Sequence, residues 1–298
     1  MKYNPADFTY GVELEYADVL YGQPLPEGCT WNDKDNTIVN SNGVANDPKG
    51  ILWKYGGEIN TIPTYTVKEQ VRIIDEINNM LNPKPTINYR CNLHIHVRVP
   101  NLKDDLEYVK KLYRYIRRYY PQAYDLIEQI PIPNPNIMTA EEYEGAKKRF
   151  KRRKRSHQYF LPEHRAEIMM NAKTTQEFFE SHTHKDKNGN PAWFQTPREG
   201  INLRQMWEST NTIEFRHFPG TVNSEEMRSC LTWCREMLNA ALNTGEPPSV
   251  LITNVNYKFP KFEPYDHKLE LIYRQTNFDK NTREEVKQNL IKLGFING

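Results

Sequence analysis

The chain has 298 residues, of which 38% are hydrophobic, and a formal net charge of +2 at pH 7. Its length allows a sizeable core, and its composition is that of a globular protein. No stretch approaches the roughly 20 apolar residues of a transmembrane helix, and the N-terminal sequence MKYNPADFTYG lacks the apolar centre of a secretion signal. We therefore expect a cytoplasmic protein without membrane contact, whose four irregularly spaced cysteines are reduced thiols.

The first hundred residues combine three predicted strands with one predicted helix. Alternation of apolar and polar residues predicts strands over 8–17, 51–62 and 90–99. A polar stretch rich in Gly, Asn and Asp separates the first two strands. Apolar residues at helical spacing predict a helix over 66–81, which the following Asn-Pro pair ends.

A helical block follows, beginning with 103–120 and continuing to about Ser181, and it resembles an insertion between strands. After a turn region at 184–193, two strands are predicted over 199–207 and 211–218, which the sequence STN joins as a short hairpin. The remaining predicted elements are helices over 223–245, 266–275 and 281–293.

The strand RCNLHIHVRV has two chemically different faces, because successive side chains of a strand point to opposite sides. One face carries Leu93, Ile95 and Val97. The other carries a set of polar side chains, namely Asn92, His94, His96 and Arg98. Taken alone, such a polar face is most simply one that meets water.

The same division recurs in the strands that contain GVELE, INLR and TIEFR. Their polar positions hold carboxylates, an amide and guanidiniums, namely Glu13, Glu15, Asn202, Arg204, Glu214 and Arg216. Lys, Ser and Thr, which usually occupy a solvated sheet face, are scarce at these positions. This composition favours a ligand over water as the partner of the face.

The chemistry of this face follows from its charged groups. Carboxylates supply hard oxygen ligands for magnesium or manganese, and the candidates are Glu13, Glu15, Glu58 and Glu214. Arginines offer planar donors to phosphate oxygens, and the candidates are Arg204 and Arg216. Because unpaired buried charges are costly, the face predicts a complex of metal and nucleotide. No glycine-rich phosphate loop is present, so side chains and metals would have to hold ATP.

A basic run, Lys147–Arg155, has the sequence KKRFKRRKR, in which eight of nine residues are basic. One interpretation is a solvated helix face or a mobile lid. The other is a surface that binds a polyanionic substrate or nucleic acid. No base-reading motif accompanies the run.

Five motifs in order, GVELE, GGEIN, CNLHIHV, INLR and TIEFR, resemble the motif series of the amidoligase family, within the superfamily of carboxylate-amine ligases that shares the glutamine synthetase fold. The resemblance spans about 8–221. It implies an α+β fold with a curved, mainly antiparallel sheet, a catalytic concave face and helices on the convex side. We predict a catalytic domain over 1–245, with a helical insertion at about 101–183, and a C-terminal helical extension over 246–298.

The resemblance also implies roles for individual residues. The implied metal ligands are Glu13, Glu15, Glu58, His96 and Glu214. The implied contacts to the nucleotide, its phosphates or the substrate carboxylate are His94, His96, Asn202, Arg204 and Arg216. The implied catalytic residues are Arg204, Arg216 and Glu58.

The implied activity is ATP-dependent amide formation with magnesium or manganese, from a small-molecule or peptide carboxylate and an amine. An acyl phosphate would form first, and the amine would then displace phosphate. Two other classes stay open. A metal-dependent hydrolase could hold zinc with His94, His96 and a glutamate, and ATP dependence separates it from the ligase. A nucleic-acid-binding protein could use the basic run, and salt-sensitive binding without ATPase activity would favour it.

Overall fold

The computed structural model describes residues 2–17, 19–32, 56–87, 91–116, 169–182, 200–207 and 210–245. Within these ranges six strands form one sheet in the order β2-β3-β1-β4-β6-β5, and all neighbours are antiparallel. The strands are β1 (Thr9–Ala17), β2 (Thr30–Asn32), β3 (Gly56–Asn60), β4 (Asn92–Arg98), β5 (Ile201–Asn202) and β6 (Ile213–Pro219).

In the described ranges the sheet is accompanied by the α-helices α1 (Val67–Met80), α2 (106–116), α3 (Thr175–His182) and α4 (Ser224–Asn239), and residues 169–171 are also helical. Short 3-10 helices cover Pro5–Asp7, Leu102–Asp104 and Arg204–Met206, and α4 continues as a π-helix over Ala240–Thr244. This combination confirms the predicted α+β class. The curvature of the sheet and the glutamine synthetase-like fold stay predictions.

The two long helices begin at side chains that cap them. The Thr66 hydroxyl accepts the Glu69 backbone N–H at 3.1 Å, at the start of α1. The Asn223 side chain accepts the backbone N–H groups of Glu225 and Glu226 at 2.9 and 3.2 Å, at the start of α4. Each cap satisfies amides that a helix end leaves unpaired, and it stabilises the fold by about 1 kcal/mol.

One face of the sheet is apolar and is covered by α1 and α4. The apolar side chains of β1 that alternate along this face are all buried, namely Tyr10, Val12, Leu14 and Tyr16. The Tyr16 hydroxyl donates to Asn78 of α1 at 2.6 Å. Phe215 of β6 packs edge-on against Trp233 of α4, with ring centroids 6.1 Å apart. The opposite face therefore carries the polar side chains, and we call it the polar face.

Most element predictions on the described residues are confirmed. The strands around 8–17 and 90–99 and the helix over 66–81 lie within two residues of their predicted ends. The strand predicted over 199–207 is wrong, because β5 has two residues and a 3-10 helix begins at Arg204. The Asn202 side chain accepts the Arg204 backbone N–H at 3.0 Å, which turns the chain out of the strand. The short strand β2 was not predicted.

Several predictions fall on residues outside the described ranges. They concern the first part of the strand at 51–62, the end of the helix at 103–120, the basic run, the turn at 184–193 and the helices after 245. Among the helices that the structure describes, none is both long enough and apolar enough to cross a membrane.

Candidate active site on the polar face

Strand register aligns the predicted site residues in a row across the sheet. Glu13 of β1 pairs with His94 of β4, and His96 of β4 pairs with Glu214 of β6. The row ends at β5, where Asn202 pairs with Glu214. Directly paired residues share one face and lie within contact distance of each other. The separate alternations read in the sequence therefore form one continuous polar surface.

Glu13 lies between two imidazoles. Its carboxylate oxygens are 2.8 Å from His94 Nδ1 and 2.9 Å from His96 Nε2. Burial raises the pKa of the Glu13 carboxyl, but hydrogen bonds and charges from both histidines outweigh burial and hold that pKa well below its usual range. Burial lowers the pKa of His96, but the hydrogen bond and charge of Glu13, with the charge of Glu214, raise it overall. Glu13 is thus ionised at neutral pH.

Glu214 is the buried partner of Arg216 and Asn202. Its side chain is 2% exposed and forms an ion pair with the Arg216 guanidinium. The Asn202 amide donates to its second oxygen at 2.8 Å. The Arg216 Nε–H is buried and has no hydrogen-bond partner among the described residues. The guanidinium therefore keeps a donor for a further acceptor.

Glu13, His96 and Glu214 form a candidate metal centre. One ligand atom from each lies within 4.8 Å of the other two. Two carboxylates and one imidazole suit magnesium or manganese, since hard cations prefer oxygen ligands. The raised pKa of His96 is consistent with a cation at this site. Without metal, the proton on Nε2 supplies part of the positive charge that a divalent cation would bring to the two carboxylates.

Glu15 and Glu58 form a second pair of buried carboxylates. They are direct partners across β1 and β3, and each is 2% exposed. Asn92 donates to Glu15 at 2.9 Å and Asn32 donates to Glu58 at 2.6 Å. The second oxygen of Glu15 is buried without a hydrogen-bond partner in the part of the chain that the structure describes. Because adjacent buried carboxylates repel each other, this pair also fits a cation.

Arg204 differs from its predicted placement. It begins the 3-10 helix instead of continuing the strand, as the Asn202 contact requires. The turn is tied to β6 as well, because the Thr212 backbone N–H donates to the Gln205 carbonyl at 3.3 Å. Arg204 thus lies at the β5 edge of the row, in a turn anchored to the residue that holds Glu214.

Sequence reasoning missed a relay of hydroxyls behind His96. Thr210 lies 3.2 Å from the Gln205 carbonyl oxygen, which only accepts, so its hydroxyl donates there. Thr212 then donates to Thr210 at 3.2 Å and accepts from His96 Nδ1 at 2.9 Å. When Nδ1 donates to Thr212, Nε2 is the nitrogen that faces the Glu13 carboxylate, and a cation bound there would replace the proton on Nε2. Thr212 opens the motif TIEFR, but its contact with His96 depends on the pairing of β4 with β6, which the sequence alone does not give.

The sequence over 27–238 matches a family model described as "Putative amidoligase enzyme". The chain belongs to the amidoligase family. The match includes four of the five motifs and begins after GVELE, and the family description indicates an enzyme of the amide-forming ligase kind. No curated protein matches the sequence significantly.

Replacing Thr212 with valine in this amidoligase should weaken manganese binding by roughly 10- to 100-fold, the usual effect of removing an outer partner of a metal-ligating histidine. Valine has the shape of threonine but cannot accept the His96 Nδ1–H. Thr212→Ser keeps the hydroxyl and should restore most of the affinity. Isothermal titration with manganese measures both variants, and equal affinities for valine and wild type would contradict the relay.

The affinity of this amidoligase for manganese should rise with pH until His96 has lost its extra proton. The cation competes with that proton, and the pKa of His96 is raised above 6.5 by Glu13 and Glu214 despite burial. Without metal, the free energy of unfolding should change with pH in the opposite direction to the manganese affinity. The raised pKa stabilises the fold below about pH 6.5, and this contribution is lost as pH rises through the folded pKa. Manganese titrations and thermal melts at pH 5.5 to 8.5 test both signs, and pH-independent manganese binding would contradict the assignment.

Proposed function

We propose that this amidoligase uses ATP and magnesium or manganese to join a carboxylate to an amine through an acyl phosphate. The observation that carries the proposal is that Glu214 takes part in two groups of charged residues. This buried carboxylate belongs both to the three-residue candidate metal centre and to the ion pair with Arg216. A divalent cation beside an arginine with a spare donor is suited to a polyphosphate chain.

Glu13, His96 and Glu214 are the proposed ligands of a cation, with Glu15 and Glu58 as ligands of a second. The bound cation would offset polyphosphate charge and make the γ-phosphorus more electrophilic. His94 holds one oxygen of Glu13, which directs the other oxygen to His96. The Thr212 hydroxyl, 2.9 Å from His96 Nδ1, would hold His96 in the ligating tautomer by accepting the Nδ1–H.

The proposed reaction has two steps. An oxygen of the substrate carboxylate attacks the γ-phosphorus, the bond to the bridging oxygen breaks, and ADP leaves with that electron pair. Arg216 binds the transferring phosphoryl group through its free Nε–H, and Arg204 and Asn202 bind phosphate or the substrate carboxylate from the β5 edge. The amine nitrogen then attacks the acyl carbon and phosphate departs. Glu58 or the departing phosphate accepts the amine proton.

The test is a screen for ADP release. Purified protein with magnesium and ATP is given pools of amino acids, polyamines and short peptides, and at least one pair of acid and amine should raise ADP release. With ¹⁸O in the carboxylate of that acid, one labelled oxygen should appear in the released phosphate. Amide hydrolysis without ATP would instead favour the zinc hydrolase. The basic run, which lies outside the described residues, stays a proposed contact for a polyanionic substrate or nucleic acid.

A further inference from the structure

The turn after β5, which begins at Arg204, presents an exposed indole. Trp207 is 46% exposed. The other two described tryptophans differ, since Trp31 is partly buried and Trp233 is 1% exposed. An isolated exposed apolar side chain is common on protein surfaces. The surroundings of Trp207 must therefore show whether its exposure has a use.

A buried ring fixes the orientation of the Trp207 indole. Trp207 stacks on Phe179 of α3, with ring centroids 5.6 Å apart and an angle of 22° between the planes. Phe179 is 2% exposed and is itself held edge-on by Phe178 at 5.4 Å. One side of the indole is thus backed by the core. A planar ligand would meet a surface that is already ordered, which lowers the entropic cost of binding.

The backbone of the turn aligns Trp207 with Arg204. The Trp207 backbone N–H donates to the Arg204 carbonyl at 3.0 Å, which closes the 3-10 turn. In a 3-10 helix, side chains three residues apart leave the backbone on the same side. Asn202 anchors the same turn, because it accepts the Arg204 N–H and donates to Glu214. An indole and a guanidinium therefore share one side of a turn that Asn202 ties to Glu214 of the candidate metal centre.

We infer that Trp207 is the stacking platform for the nucleobase of ATP, with Arg204 beside the phosphates. The inference rests on the proposed function, because it assigns the base of the nucleotide that the polar face would bind. The sequence lacks a glycine-rich phosphate loop, so side chains and metals would hold the phosphates, and Trp207 offers an exposed ring for the base. An aromatic platform binds every base through its π-face. ATP and GTP should accordingly differ little in affinity.

Isothermal titration of the full chain with magnesium and either ATP or inorganic tripolyphosphate tests the inference. Trp207→Ala should raise the Kd for ATP by roughly 5- to 150-fold, the loss of one base stack, and should leave the Kd for tripolyphosphate unchanged. Trp207→Phe keeps an aromatic ring, and its Kd for ATP should lie between those of wild type and Trp207→Ala. The matched control is Tyr65→Ala, since Tyr65 is 68% exposed just before α1 and its loss should change neither ligand.

Three outcomes would overturn the inference, and each would have a different meaning. ATP affinity that is unchanged in Trp207→Ala would place the base elsewhere. Equal weakening of ATP and tripolyphosphate would make Trp207 a structural support of the turn, and thermal melts with Trp207→Phe would show that effect directly. Failure of the wild type to bind ATP with magnesium would remove the proposed function itself, and with it the base platform.

Discussion

Glu214→Gln is expected to remove metal-dependent nucleotide binding while the protein stays folded. Glutamine has the same shape but no charge, so the candidate centre of Glu13, His96 and Glu214 loses one of its two carboxylate ligands. Loss of an outer-sphere partner alone costs 10- to 100-fold in metal affinity, and loss of a ligand should cost at least about 100-fold. Manganese titration measures the loss, and circular dichroism checks the fold.

The matched control for this variant is Glu76→Gln. Glu76 lies on α1, is 45% exposed and pairs with Arg72 on the same helix. Its substitution should leave manganese and nucleotide binding unchanged, because it touches only a surface ion pair. Manganese binding by Glu214→Gln within threefold of wild type would contradict the assignment of the centre.

Arg216→Lys is expected to slow ADP formation by roughly 10²- to 10³-fold, the usual cost of removing one donor that stabilises transition-state charge. Lysine keeps the positive charge beside Glu214 but lacks the planar fork of the guanidinium. The fold and the manganese site should therefore change much less than the turnover number. Single-turnover ADP formation, with the acid and amine found by the screen, gives the rate.

Arg228→Lys is the control for that substitution. Arg228 is 41% exposed on α4 and pairs with Glu225 within one helical turn. It lies on the helix that covers the apolar face, so Arg228→Lys should form ADP at the wild-type rate. If Arg216→Lys turned over as fast as Arg228→Lys, Arg216 would have no part in phosphoryl transfer.

Local alternation was sufficient to predict the strands that form the centre of the row. In β1 and β4 large apolar residues occupy every second position, from Tyr10 to Tyr16 and from Leu93 to Val97, so their faces follow from the backbone geometry alone. The same alternation placed Glu13, His94, His96 and Glu214 on polar faces before any strand pairing was known. What the sequence could not supply was the register that brings Glu13 opposite His94.

The errors and omissions have physical causes. Some interactions override the local alternation of residues, and others join residues that are far apart in the sequence. At Asn202 the side-chain amide oxygen accepts the Arg204 backbone N–H and ends β5 early, although the residues INLR still alternate between apolar and polar. β2 has only three residues, too few for a period to be read. Thr212 acts on His96 across 116 residues of sequence, a contact that only the folded sheet creates.

The most direct measurement is the equilibrium binding of ATP to the wild-type protein under four conditions. These are EDTA without added metal, magnesium, manganese, and zinc as the only metal. The polar face should bind ATP when magnesium or manganese is present, and this binding should disappear with EDTA. Tight zinc binding without nucleotide, together with no ATP binding under any of the four conditions, would contradict a metal–nucleotide site and favour a zinc hydrolase.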